Sequence, residues 1–271
     1  MKIWKNTATL DKYCPSLADS CESDVAEIAV VGGKPIDIDK MPRLRGIFKC
    51  GVGRDNIPEE QCAERGIQVC FPSDKTSSII FEETANFTVH LIFRMLYTNV
   101  GSLEKWEKIP RDFLGQKKVL LIGLGNIGGR VKDKLKPSID ILSFDILSNE
   151  LEELPGMMKV ADVVALHIPL MESTRNFIDA EKLSWMKKGA ALVNTARGPL
   201  VDEQALLNEI QTGRLNAAFD VFWEEPYHGP LRDFHPDRFL MSPHVASTCA
   251  TFLEGLSVDL NKFIETLSST C

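Results

Sequence analysis

An apolar run at residues 118–122 (KVLLI) leads without interruption into Gly123-Leu124-Gly125-Asn126-Ile127-Gly128, and a helical pattern carrying Val131 and Leu135 follows at once. A strand that turns on glycine into a closely packed helix opens a parallel βαβ unit, and this glycine spacing is that of a dinucleotide-binding turn. Gly123 permits the tight turn, Gly125 lets a pyrophosphate approach the backbone, and Gly128 lets helix and strand pack closely. The helix N-terminus adds free amides and positive dipole. A glycine triplet alone also occurs in ordinary turns; here the strand before it and the helix after it give it weight.

The same alternation runs through the chain. Short Val/Ile/Leu-rich runs predict strands at 28–31, 46–50, 67–70, 118–122, 139–144, 163–167, 191–194 and 217–220, with helical periods between them. That is the pattern of an α/β fold with doubly wound parallel sheets. Helices are expected at 58–65, 77–97 and 251–267, the last with Phe252, Leu253, Leu256, Leu260, Phe263, Ile264 and Leu267 on one stripe. Asp179 and Asp202 are placed to cap two more helices, the first running through Met186 and the second ending near Gly213. Segment 101–116, with Trp106, Pro110 and Gly115, breaks the periodicity and reads as an arm or linker. A chain of 271 residues suits two domains: one at 1–96 completed by the returning helix within 249–271, and a dinucleotide-binding domain at 97–248.

Charge and cysteine usage narrow the partners. Thirty-one Lys and Arg against 38 Asp and Glu give a net charge of −7, which opposes a nucleic acid partner. No apolar stretch approaches the roughly 18–20 residues of a membrane span, and the N-terminal stretch has no secretory apolar run. Seven cysteines, Cys14, Cys21, Cys50, Cys62, Cys70, Cys249 and Cys271, are scattered without a C-x-x-C pair. Neither a disulfide framework nor a metal site is expected, and the default compartment is a reducing cytoplasm.

The strand after the glycine turn ends at Asp145, 22 residues beyond Gly123. A carboxylate there accepts from a ribose 2′-hydroxyl and repels a 2′-phosphate, so NAD (NADH) is expected and NADP disfavoured. Three later segments follow predicted strands: Asn194-Thr195-Ala196-Arg197-Gly198, Asp220-Val221-Phe222-Trp223-Glu224-Glu225-Pro226, and Ser242-Pro243-His244-Val245-Ala246. Strand carboxyl ends are where open parallel sheets bind ligands. One guanidinium, one carboxylate and one imidazole there suit hydride transfer to a 2-oxo acid. Arg197 offers a fork for the substrate carboxylate and carbonyl, His244 a proton for the forming alkoxide, and Glu225 a partner that favours the charged imidazole. Singly, each has an ordinary structural reading as a surface cation, a solvated acid and a packing histidine.

The stretches CGVGRDNIP from Cys50, LGQKKVLLIGLGNIGGRV from Leu114, HIPLMESTRNFIDAEKLSWMKKGAALVNTARGPLVDEQAL from His167, AAFDVFWEEP from Ala217 and SPHVAS from Ser242 together resemble the D-isomer-specific 2-hydroxyacid dehydrogenase family over nearly the whole chain. That resemblance implies two Rossmann-like domains, a substrate domain that is discontinuous, and NAD-dependent oxidoreduction of a small 2-hydroxy/2-oxo acid. It implies Arg197, Glu225 and His244 as the catalytic set, and amides of Gly51, Val52 and Gly53 on the substrate carboxylate beside Arg197 and His244. Cofactor contacts are implied for Gly123, Gly125, Asn126, Ile127, Gly128 and Asp145, for the turn of His167, Ile168 and Pro169, and for Thr195, Arg197, His244 and Asp220. Asp220 would lie near the nicotinamide amide, or else be a strand-end turn residue. The resemblance further implies a cytoplasmic homodimer formed through the cofactor domain. An NAD(H)-sensing, corepressor-like protein of the same fold is the alternative.

About 50 residues precede the Gly51 loop, short of the family's usual first lobe by roughly one strand and helix. MKIWKN is then the remnant of the first strand, and its edge needs cover. Arg54 stands where the family commonly has a neutral residue, and either meets an extra anionic substrate group or is solvated. Cys50 is either a small buried residue or a reactive thiol.

Overall fold

In the first parallel sheet, β1 (Ile3–Lys5), β2 (Ile28–Val31), β3 (Gly46–Lys49) and β4 (Gln68–Cys70) lie side by side in chain order. The computed structural model describes all residues except Ala18, Asn99, Val100, Leu103, Thr270 and Cys271, and the side chain of Ser16. The expected remnant strand is β1. Between β1 and β2 run two 3-10 turns at Pro15–Leu17 and Ser23–Val25. Leu10, Cys14 and Leu17 from this segment are buried with Ile28, Val30 and Phe48. Lys2 and Asn6 bond toward β2, so the carbonyl of Ile3 between them faces the free edge, where the Cys21 amide donates to it at 2.9 Å. The edge is covered by the chain's own backbone.

The other face of this sheet packs Ala29, Val31 and Ile47 on Ile38, Met41 and Cys62, the last from α1 (Glu59–Glu64). The long helix α2 (Asp74–Leu96) follows β4. Short strands β5 (Gly101–Ser102) and β6 (Glu107–Lys108) pair antiparallel, so the expected arm contains a small hairpin whose Trp106 adopts φ 50°.

The second sheet holds β7 (Lys118–Ile122), β8 (Asp140–Phe144), β9 (Val163–Leu166), β10 (Ala191–Asn194), β11 (Asn216–Phe219) and β12 (Phe239–Met241), all parallel, in the order β12-β11-β10-β9-β7-β8. The order reverses at β7, which places a topological switch beside its carboxyl end. Side chains alternate along β7. Val119 and Leu121 face Ala85, Leu91 and Ile92 of α2 and Val131 and Leu135 of α3 (Gly128–Leu135). Leu120 and Ile122 face the cluster of α4 (Leu154–Val160), α5 (Ala180–Trp185) and α6 (Glu203–Gln211). Asp179 and Asp202 cap α5 and α6 as expected, accepting from the Lys182 and Ala205 amides.

The final helix α7 (Ala250–Ser269) buries the anticipated stripe against the first sheet. Contact there is close: a Cβ on Gly46 would sit 2.6 Å from Leu267 and Phe263. The chain forms two compact units, Met1–Ile80 with Ser247–Cys271, and Phe81–Ala246. The division falls inside α2 rather than at its end near 96, and after 246 rather than 248, because the later turns of α2 supply core residues to the second unit. No described helix is long and apolar enough to cross a membrane.

Candidate active site

The glycine turn at the end of β7 requires its glycines. Gly123 has φ +94°, and a Cβ there would lie 2.7 Å from the His167 carbonyl oxygen. A Cβ on Gly128 would stand 2.0 Å from the Gly123 carbonyl oxygen, whereas around Gly125 nothing lies within 4 Å. Two glycines thus close the turn and the third leaves an open cradle at the start of α3, where first-turn amides have no acceptor within the helix. Asp145 directly follows β8 and accepts from the Leu124 amide at 2.8 Å and the Leu147 amide at 3.0 Å. Its carboxylate is therefore fixed against the turn. Asn126 and Ile127 lie in the turn itself, where the Asn126 carbonyl accepts from Arg130. The open backbone at Gly125, the helix N-terminus and the fixed Asp145 carboxylate fit a dinucleotide.

The neighbouring turn after β9 carries His167, Ile168 and Pro169. Burial alone pushes the His167 pKa down to about 4, so its ring is neutral at neutral pH. Its Nε2 is buried without a hydrogen-bond partner. Thr195 is also largely buried. Thr88 donates to the Thr84 carbonyl, so the 2.7 Å contact between hydroxyls has Thr195 donating to Thr88.

Arg197, Glu225 and His244 all lie in the second unit, beyond β10, β11 and β12. His244 Nδ1 is 2.9 Å from Glu225 Oε2 and 3.1 Å from Oε1. With Nδ1–H donating to the carboxylate, Nε2 is the nitrogen left for proton exchange. Burial acts to raise the Glu225 pKa, but the bond from His244, the Phe222 amide and the nearby Arg197 charge outweigh it and hold the carboxyl below its ordinary value. Glu225 is thus ionised at neutral pH.

The loops bearing these side chains are held from below by residues that motif reading did not single out. Asn194 is wholly buried; its Oδ1 accepts from the Ala196 amide at 3.0 Å and its Nδ2 donates to the Arg197 carbonyl at 2.8 Å. Gly198 lies so close to the Glu225 loop that a Cβ would fall 2.1 Å from the Phe222 carbonyl carbon. The Trp223 indole donates to the Val201 carbonyl at 2.7 Å and so ties the same two loops.

His244 itself has φ 52°, an uncommon conformation for a non-glycine residue that needs support from its surroundings. Asp220 supplies that support. Its carboxylate accepts from the Ser242 hydroxyl at 2.6 Å, the Val245 amide at 2.9 Å and the Ala246 amide at 2.8 Å. Burial raises the Asp220 pKa, the dominant effect over these bonds. These contacts make Asp220 the anchor of the turn that carries His244.

In the first unit, Gly51, Val52 and Gly53 follow β3. A Cβ at Gly51 would meet nothing within 4 Å, so space lies open before this loop. Lys49 donates to the Gly32 carbonyl, and Asn56 donates to the carbonyls of Gly32 and Lys34 at 2.8 Å each, which joins the Gly51 and Gly32 loops. Burial pushes the Cys50 thiol up to about 12 despite the nearby Lys49 charge, which opposes a reactive thiolate at this half-buried position.

Residues 95–246 match the family model described as D-isomer specific 2-hydroxyacid dehydrogenase, NAD binding domain. The chain is 32% identical over 237 residues to a hydroxypyruvate reductase from Thermotoga maritima, covering 82% of this chain and 77% of the relative. It is 31% identical over 278 residues to a glyoxylate reductase from Pyrococcus horikoshii, covering 94% and 79% respectively. Among solved structures, a D-lactate dehydrogenase from Aquifex aeolicus complexed with NAD and lactic acid superposes with a TM-score of 0.80 at 25% identity, covering 100% of this chain and 96% of the other.

Proposed function

The chain belongs to the D-isomer-specific 2-hydroxyacid dehydrogenase family, and from that membership we infer an oxidoreductase that interconverts a small D-2-hydroxy acid and its 2-oxo acid, with Arg197, Glu225 and His244 as its catalytic residues. The 123–128 turn and Asp145 would hold NAD(H), which when bound would supply or accept the hydride. In the reducing direction Arg197 binds the carboxylate and polarises the adjacent carbonyl, and His244 Nε2 delivers a proton to the oxygen as negative charge develops on it. Glu225 holds the Nδ1–H, fixes the ring and stabilises the imidazolium that donates. Oxidation runs the same proton back. Amides of Gly51, Val52 and Gly53 take the substrate carboxylate in this reading. The observation that carries it is the 2.9 Å Glu225–His244 contact beside the Arg197 charge. The relatives named as reductases, rather than the acid–imidazole pair itself, favour turnover over NAD(H) sensing.

Asp145 sets the cofactor preference. Two backbone amides fix its carboxylate, so it cannot swing aside for a 2′-phosphate, and NAD is preferred to NADP. The preferred assembly is a homodimer through the cofactor domain, consistent with Trp106 and Phe113 standing 81% and 75% exposed on the segment before β7. The compartment we assign is the cytoplasm.

The test is NADH oxidation with a panel of pyruvate, hydroxypyruvate, glyoxylate, 2-oxobutyrate, oxaloacetate and phosphohydroxypyruvate. Turnover of at least one is expected, and His244→Ala should reduce it by about 10²–10⁴-fold with NADH affinity changed only a few fold. Background rates throughout, with NADH binding verified, would overturn the enzyme reading. Equal efficiency with NADPH would overturn the role of Asp145.

A further inference from the structure

We propose that Arg54 makes the substrate loop selective for 2-oxo acids that carry a second anionic group, a carboxylate, phosphate or sulfonate, at the end remote from the reacting carbonyl. This deepens the reading of the 51–53 amides as the carboxylate site and rests on it.

Arg54 directly follows Gly53. Its guanidinium stacks on Phe71, 4.0 Å from the ring centroid, and its Nη1 donates to both Glu59 oxygens, at 3.0 and 2.8 Å. Phe71 follows β4 as Gly51 follows β3, and these strands pair in parallel, Phe48 opposite Cys70. The cation therefore sits at the same carboxyl edge of the sheet as the amide loop.

Both contacts use one face and one nitrogen. Nε and Nη2, with three N–H groups, have no hydrogen-bond partner among the described residues, and the side chain is 62% exposed. A guanidinium locked in plane with an open donor edge loses little freedom on binding an anion. A flexible, solvated arginine would lack this preorganisation. Glu59 weakens the net field, so recognition rests on directed N–H donors more than on charge. The exposed Arg54–Glu59 pair is itself a weak interaction that an incoming anion can compete with.

The experiment compares kcat/KM for matched substrates, phosphohydroxypyruvate against hydroxypyruvate and oxaloacetate against 2-oxobutyrate. Wild type, Arg54→Ala, Arg54→Lys and Glu59→Gln are measured at two ionic strengths. The ratio of anionic to neutral substrate should fall at least tenfold in Arg54→Ala, through KM, and less in Arg54→Lys. It should rise in Glu59→Gln, which keeps the guanidinium and releases its competitor, and wild type should lose part of the ratio at high salt. Ratios indifferent to Arg54 while neutral substrates still turn over would overturn the inference alone. No turnover of any 2-oxo acid would overturn it together with the reaction assigned above.

Discussion

At Asn194 one buried carboxamide satisfies both the Ala196 N–H and the Arg197 C=O, and so sets the direction in which the guanidinium leaves the sheet. Replacing it with Ala strands a donor and an acceptor, each costing about 1–3 kcal/mol when buried. Asn194→Ala should therefore lower Tm and raise KM for the 2-oxo acid at least tenfold, with NADH affinity little changed. Asn194→Asp keeps the bond to Ala196 but sets an oxygen against the Arg197 carbonyl, and should fall between the two. Kinetics that follow Tm alone, with KM unmoved, would reduce Asn194 to a structural role. The proposed catalytic side chains were legible because their chemistry is written in their types: an imidazole, an acid and a guanidinium in three loops after strands. Their supports were not. Whether Asn194 clamps its own turn or Asp220 gathers the turn of His244 depends on which backbone groups are left unpaired nearby, and residue type does not state that.

Among the elements, those with a local cause were read correctly. The Asp179 and Asp202 caps need only the amides three residues on, and the β7 turn needs only its glycines. Strand β12 was missed because three residues after a proline-rich stretch show no period, and the β5–β6 hairpin because its turn uses Trp106 at φ 50° in place of a glycine. Asp162, just before β9, shows how elements are joined by charge. It accepts from the Lys118 amide of β7 at 2.9 Å and pairs with Lys187 at 2.9 Å and Lys117 at 3.2 Å. Burial works to raise its pKa, but these partners outweigh it and hold the carboxyl below the ordinary value. A carboxyl lowered in the folded state stabilises above its unfolded pKa, and the benefit is lost as pH falls through the folded one. Wild type should thus be more stable than Asp162→Asn at neutral pH, with the gap closing as the solution is acidified below the normal carboxylate range. A gap that stays constant in thermal melts from neutral to acid pH would exclude this account.

On the scale of the whole molecule, the 7–25 segment closes one side of the first sheet without a helix or strand of its own. Leu10, Cys14 and Leu17 are buried in its core, and the Cys21 amide takes the outward Ile3 carbonyl at the edge of β1. For the assembly, light scattering should give the mass of a dimer, and Trp106→Ala with Phe113→Ala should shift it toward monomer without lowering the Tm of the monomeric form. A monomeric wild type would overturn that assembly. By itself the sequence determined the α/β class, the glycine turn, the capped helices and the candidates for the reacting groups, because backbone sterics, side-chain period and acid–base chemistry act within a few residues. Only the tertiary structure decided which strand edge the 7–25 segment covers, where α2 passes from one core to the other, and that Thr195 and Asp220 hydrogen-bond to other groups of the protein. Those outcomes depend on which groups distant stretches bring together and bury, a property of the packed chain rather than of any stretch of it.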